Sequence, residues 1–277
     1  MSKSYQSFFV MLIYLFTLSR ISAQEIDNAK ELLLSKQLHQ SQSWSVDLPQ
    51  SYQIYQKGEA IFVDIRSKEL YEKGHVPNSL NIHLPSLPQT ILENPEVLPK
   101  GQPIYVICCA QDRNALWAVL PLRMAGYEAY NVTGGGVDAW DYLKLPIEKG
   151  AGKAPEPKWQ IELTAKEKEA LLGINPSYHM MKAGRSYVYD REGIEKLFED
   201  GREGFVVELV EAKKDKATSK YTKETSTLPD LPNANWLRDF PEDATIFLIS
   251  ENDKELVLGV VALRMLDYDA VMLVKNR

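Results

Sequence analysis

The chain has 277 residues, 44% of them hydrophobic, and a formal charge of −6. That is enough apolar material for one large globular core or two ordinary ones. The acidic balance and the absence of any long basic run exclude nucleic acid as the expected partner, because phosphate neutralisation needs clustered Lys and Arg.

In chain order, Lys3 precedes an apolar stretch over residues 8–18, too short to span a bilayer comfortably, and Ile21-Ser22-Ala23 follows it. This pattern predicts a signal peptide over residues 1–23, cleaved after Ala23, and hence a periplasmic or secreted protein. Arg20, after the apolar run, keeps an uncleaved membrane anchor as the second reading. Residues 24–43 read as a polar lead-in, helical around 28–38. From 44 to 150, short β-rich runs (61–65, 104–108, 130–132) alternate with helical stretches (67–73, 115–124, 137–143), and Gly74 and Gly126 stop two of them. Apolar runs of this kind suit buried parallel strands, so the expected class is α/β with a central parallel sheet flanked by helices. Residues 151–183 read as a Gly/Pro/Lys linker followed by a helix with a Thr164–Glu167 capping box. The β/α rhythm resumes over 184–277.

That last stretch repeats the first. Leu122-Arg123-Met124 with Tyr127 recurs as Leu263-Arg264-Met265 with Tyr268, residues 104–107 resemble 246–249, and Val63-Asp64-Ile65 resembles Val207-Glu208-Leu209. The order is kept, so a duplication of one α/β unit is expected.

Only two cysteines are present, Cys108 and Cys109, and they are adjacent. Neighbours cannot staple a fold, so at least one is expected to do chemistry. The segment Cys109-Ala110-Gln111-Asp112-Arg113-Asn114-Ala115 lies between a buried strand and a helix N-terminus. Backbone N–H groups and the helix dipole there favour a thiolate, and they would equally hold the anionic persulfide formed when it attacks a sulfane sulfur. Arg113 would add a positive charge. Alternation along a strand predicts that only one of the two cysteines faces this loop.

Taken together, Val63-Asp64-Ile65-Arg66, Tyr71-x-x-Gly74-His75-Val76-Pro77, the cysteine loop, Ala125-Gly126-Tyr127, Gly135-Gly136-x-x-Ala139-Trp140 and Leu145-Pro146 resemble the rhodanese family over most of residues 57–149. The resemblance implies two tandem rhodanese-like domains, at 44–150 and 184–277. It implies sulfur transfer through a cysteine persulfide, without metal or organic cofactor, between a sulfane-sulfur donor and a thiol or cyanide-like acceptor. The nucleophile stays open between the two. The 17 positions from Cys109 to Gly126 match the family's spacing, whereas Arg113 lies five after Cys108, where the family often carries Arg. The short loop implies sulfurtransferase rather than the related phosphatase. Asp64, Arg66 and His75 are implied as supporting residues. Asp112 departs from the family's usual Gly, which puts thiosulfate:cyanide activity in doubt, because a carboxylate beside the thiolate raises its pKa and repels anionic donors.

The second copy has Ser250 where the first has its cysteines, and serine cannot carry a persulfide. It is expected to be non-catalytic, shaping the site, mediating a homodimer or recruiting a periplasmic protein. The competing function class is a rhodanese-fold binding module, for a protein partner or a sulfur or selenium oxyanion.

Overall fold

The computed structural model describes residues 23–109, 112–152, 188–189, 204–211, 224–240 and 244–273. The signal-peptide reading, the capping box at Thr164, and Ala110 and Gln111 lie outside the described residues, as do the side chains of Asp112 and Arg113.

Two five-stranded sheets organise the chain, and every strand pair in both is parallel. The first contains β1 (Ser45–Val46), β2 (Ile61–Asp64), β3 (Leu80–Asn81), β4 (Ile104–Ile107) and β5 (Ala129–Val132), in the order β1-β5-β4-β2-β3. Central β4 is buried along its whole length, as an apolar run covered on both faces must be. Alternate residues divide between two cores. Ile104 and Val106 join the larger one, and Tyr105 and Ile107 join a smaller cluster around Trp140 and Phe62.

The helices of this half are α1 (Ala23–His39), α2 (Leu48–Lys57), α3 (Lys68–Lys73), α4 (Leu87–Glu93), α5 (Leu116–Met124) and α6 (Gly136–Tyr142). The Asp47 carboxylate caps α2 by accepting from the Gln50 N–H at 2.8 Å, and Gly58 ends the helix at φ 66°. Helix α1 covers most of the segment read as a lead-in and includes the stretch expected to be helical around 28–38. Leu34 and Leu38 are completely or almost completely buried in the main core. Each contributes roughly 1.5–3 kcal/mol on that account, so this helix is part of the fold.

The second sheet contains β6 (Val188–Tyr189), β7 (Gly204–Leu209), β8 (Glu224–Ser226), β9 (Thr245–Ile249) and β10 (Ala270–Leu273), in the order β6-β10-β9-β7-β8. This is the order of the first sheet, strand for strand. The registers agree too: Val63 faces Val106 as Val207 faces Leu248, and Ile104 faces Ala129 as Ile246 faces Ala270. The repeated Leu-Arg-Met segments end equivalent helices, α5 and α7 (Asp253–Met265). Arg123 donates to the Ala129 carbonyl at 2.8 Å and Arg264 to that of Ala270 at 2.7 Å, each latching a helix end onto the next strand.

Helices α5 and α7 pack against each other, antiparallel. The Arg264 guanidinium, at the C-terminal end of α7, lies 5.2 Å from the ring centre of Trp117 near the start of α5. At the other end, Lys254 of α7 donates to the Ser41 carbonyl, while Arg123 of α5 sits 4.8 Å from the Trp44 ring centre. Residues of both halves belong to one apolar core.

At the C-terminal edge of β2 the chain buries two charges. Arg66 meets Asp64 through Nη2–Oδ2 at 2.6 Å and through Nε to both carboxylate oxygens, and Nη2 also donates to the Gly74 carbonyl at 2.7 Å. The Asn81 amide donates to the carbonyls of Asp64 and Arg66, tying β3 to the same corner. Removing one partner of such a pair strands the other charge in the core. Arg66→Met is therefore expected to lower stability by about 3–5 kcal/mol, read as a fall in the urea midpoint. An unchanged midpoint would exclude this corner as a structural support.

Candidate active site

Strand β4 stops at Ile107, and the two cysteines follow it. Cys108 continues the alternation of Ile104 and Val106 into the main core and is 8% exposed. Burial, the largest influence on it, pushes its thiol up to about 12. Cys109 is half-buried, packed against that core yet open to solvent on one side.

Their sulfurs are nevertheless only 3.7 Å apart. The chain leaves the strand at Ile107, and the turn that follows brings the sulfurs together, although Cys108 is buried in the main core and Cys109 only partly so. The Asn114 side-chain amide approaches the Cys109 sulfur at 3.8 Å. Asn114 lies in the 3-10 turn Asp112–Ala115, which leads directly into α5, and Ala115 closes that turn fully buried.

The turn rests on the start of α6. Val137 N–H donates to the Cys108 carbonyl at 2.9 Å. A Cβ on Gly136 would stand 2.3 Å from the Cys108 oxygen and 2.5 Å from the Cys109 oxygen. Gly136 also has φ +55°, a conformation that side chains resist. Only glycine lets the two segments approach this closely. In the sequence, Gly135-Gly136 signals only the family resemblance, and this backing role is not legible there.

The remaining candidates brace the domain. Asp64 and Arg66 are committed to each other and to neighbouring carbonyls. His75 is fully buried, stacked on Tyr71 with ring centres 3.6 Å apart, and its Nδ1 lies 2.9 Å from the Tyr71 carbonyl. Its backbone pairs with Glu148, pinning the segment after α6 to the turn after α3.

Residues 48–142 match the family model described as the rhodanese-like domain. Those residues form a rhodanese-like domain. Over 78 residues it is 41% identical to an adenylyltransferase and sulfurtransferase of Ogataea parapolymorpha, a stretch covering 28% of this chain and 19% of that protein. The chain thus spans about a fifth of the length of that curated relative. Among solved structures, it is similar to a thiosulfate sulfurtransferase of Pseudomonas aeruginosa, with 12% identity over 90% of this chain and 46% of that one, at a TM-score of 0.38. It is similar also to a 3-mercaptopyruvate sulfotransferase of Escherichia coli, with 15% identity over 83% of this chain and 97% of that one, at a TM-score of 0.41.

The segment of the second sheet that corresponds to the rhodanese-like domain's cysteine turn is built differently. Three residues, 250–252, separate β9 from α7, whereas four, 108–111, separate β4 from its 3-10 turn. The one-residue change in offset along the repeat therefore falls inside this loop. Ser250 Oγ accepts from the Asn252 N–H at 3.1 Å, and Asn252 Oδ1 accepts from the N–H groups of Lys254 and Glu255. The amides that open α7 are capped by the chain's own side chain.

Gly136→Ala in the rhodanese-like domain should cost about 1–2 kcal/mol from the left-handed backbone alone, and more as the added methyl displaces the cysteine carbonyls. The expected result is a lowered thermal midpoint together with slower alkylation of Cys109. Parent-like values for both would show that the close approach is not required.

Proposed function

We propose that the protein is an exported sulfurtransferase or sulfur carrier in which Cys109 takes up a sulfane sulfur and hands it to a thiophilic acceptor. The observation carrying this reading is the contrast within the cysteine pair. Cys109 is open to solvent beside the Asn114 amide, while Cys108 is enclosed and holds its proton. A nucleophilic sulfur needs both access and a stabilised thiolate.

With thiosulfate as donor, the Cys109 thiolate attacks the outer sulfane sulfur. The S–S bond to the sulfonate sulfur breaks, sulfite leaves with the bonding pair, and a Cys109 persulfide remains. A thiolate or cyanide acceptor then attacks the outer sulfur and regenerates the Cys109 thiolate. The chain's residues supply the steps by holding the nucleophile, so the reaction needs only donor and acceptor. Arg113 would dock an anionic donor, and Asp112 would oppose one, which favours a sulfane sulfur carried on a protein partner over a small anion such as thiosulfate.

Export rests on the pattern of residues 1–23. The second half reads as a rhodanese-like copy without the chemistry, with Ser250 at the cysteine position and its helix amides self-capped. Its role in this reading is to complete the core and to offer a surface to a protein partner or a second copy.

Intact mass spectrometry after incubation with thiosulfate or polysulfide tests the proposal. The expected result is a gain of roughly 32 Da per sulfur, removed by cyanide and absent in Cys109→Ser. An adduct that survives in Cys109→Ser and vanishes in Cys108→Ser would transfer the role to Cys108. No adduct with either donor would leave the binding module as the reading, and hydrolysis of an aryl phosphate would point to a phosphatase.

A further inference from the structure

Cys108 has no task in the transfer chemistry, yet its sulfur stands 3.7 Å from that of Cys109, at hydrogen-bonding distance for a sulfur pair. We infer that Cys108 is a neutral S–H donor to the Cys109 thiolate, poising its neighbour for reaction while its own burial keeps it out of the chemistry. The inference rests on the reading of Cys109 as the nucleophile.

The geometry allows one direction only. A thiolate accepts and cannot donate, so once Cys109 ionises the shared proton must come from Cys108. Cys108 is 8% exposed and sits among the apolar residues of the main core. Charge there is disfavoured, which pushes its thiol up to about 12, so it stays protonated across the range in which Cys109 works. The Asn114 amide approaches the same sulfur at 3.8 Å. Cys109 therefore has two neutral donors, one from the residue before it and one from the 3-10 turn after it. The position of Cys108 is fixed by its carbonyl, which accepts from Val137 N–H and abuts Gly136.

Burial also solves a difficulty that proximity creates. A Cys108 thiolate would attack the inner sulfur of a Cys109 persulfide, expel the outer sulfur as hydrosulfide and leave a Cys108–Cys109 disulfide. Atoms and electrons balance in that step, and it would discharge the cargo. A thiol that keeps its proton donates without attacking, since the thiolate is the nucleophile.

The test is the pH dependence of iodoacetamide alkylation at Cys109 in sulfur-free protein, followed by peptide mass spectrometry. The charged groups on the elements around the turn are Asp64 on β2, Asp112 and Arg113 in the loop, Arg123 on α5, Asp138 and Asp141 on α6, and Asp253, Lys254, Glu255 and Arg264 on α7. All are common to the proteins compared, so a difference isolates Cys108. Cys108→Ala should move the Cys109 midpoint upward by about half to one pH unit, as expected for one lost hydrogen bond to an anion. Cys108→Ser, which keeps a donor, should recover at least half of that shift. Coincident profiles for Cys108→Ala and the parent overturn the inference, as does a Cys108→Ser profile displaced as far as that of Cys108→Ala. The parent alone gives a check that needs no variant. Cys109 should alkylate through its full titration while Cys108 stays unmodified, and alkylation of Cys108 first overturns the inference. A persulfide-loaded parent that releases sulfide and gains a Cys108–Cys109 disulfide at neutral pH also overturns it. Thiol titration uses no sulfur donor, so failure here is distinct from failure to carry sulfur.

Discussion

The contact between Gly136 and the carbonyls of Cys108 and Cys109 governs where the two cysteine sulfurs stand. Strand β4 delivers the chain to the C-terminal edge of the sheet, and there it must turn sharply to enter the 3-10 turn and α5. The first residues of α6 form the wall against which it turns. Because Gly136 has no side chain, the carbonyls come to rest against its backbone, and the Val137 N–H satisfies one of them. The side chains are thereby directed away from that wall, toward the core and toward solvent. The elements joined here are far apart in sequence, so the position of a single sulfur depends on long-range packing.

A second constraint is the difference in solvation between two chemically identical neighbours. Both cysteines are thiols on one turn with their sulfurs nearly in contact, and only their surroundings distinguish them. Apolar walls raise the cost of charge on Cys108, while Cys109 is less buried and has an amide beside it. Asp64 is part of the same electrostatic field, adding a smaller push in the same direction on Cys108. Its charge is matched locally by Arg66. The ion pair next to the cysteine turn therefore limits the negative potential there.

Much of the fold was legible because its central strands are continuous apolar runs and Gly74 and Gly126 mark the ends of α3 and α5. Strands β2, β4 and β5 announced themselves in this way. The edge strands β1, β3 and β6 did not, since two residues carry no period, and their pairing comes from neighbours already in place. Helices α2 and α4 were passed over, and both have proline in the first turn, where it starts a helix rather than ending one. The cysteine turn stood out in the sequence as the candidate site, but which of Cys108 and Cys109 is the more buried did not. That depends on which residue is the last extended one, and a shift of one position reverses the alternation rule. The repeat left it open for the same reason: the second half's loop is one residue shorter there, so no alignment of the two copies assigns Ser250 to one cysteine alone.

The antiparallel pairing of α5 with α7 has a thermodynamic consequence. Since the apolar faces of both helices belong to one core, neither half can unfold without exposing surface that the other half covers. Anything that binds the folded cysteine turn then stabilises the second sheet by linkage, although it touches none of its residues. The reverse holds as well, because a partner docked on the second half would raise the fraction of molecules in which Cys109 is correctly held.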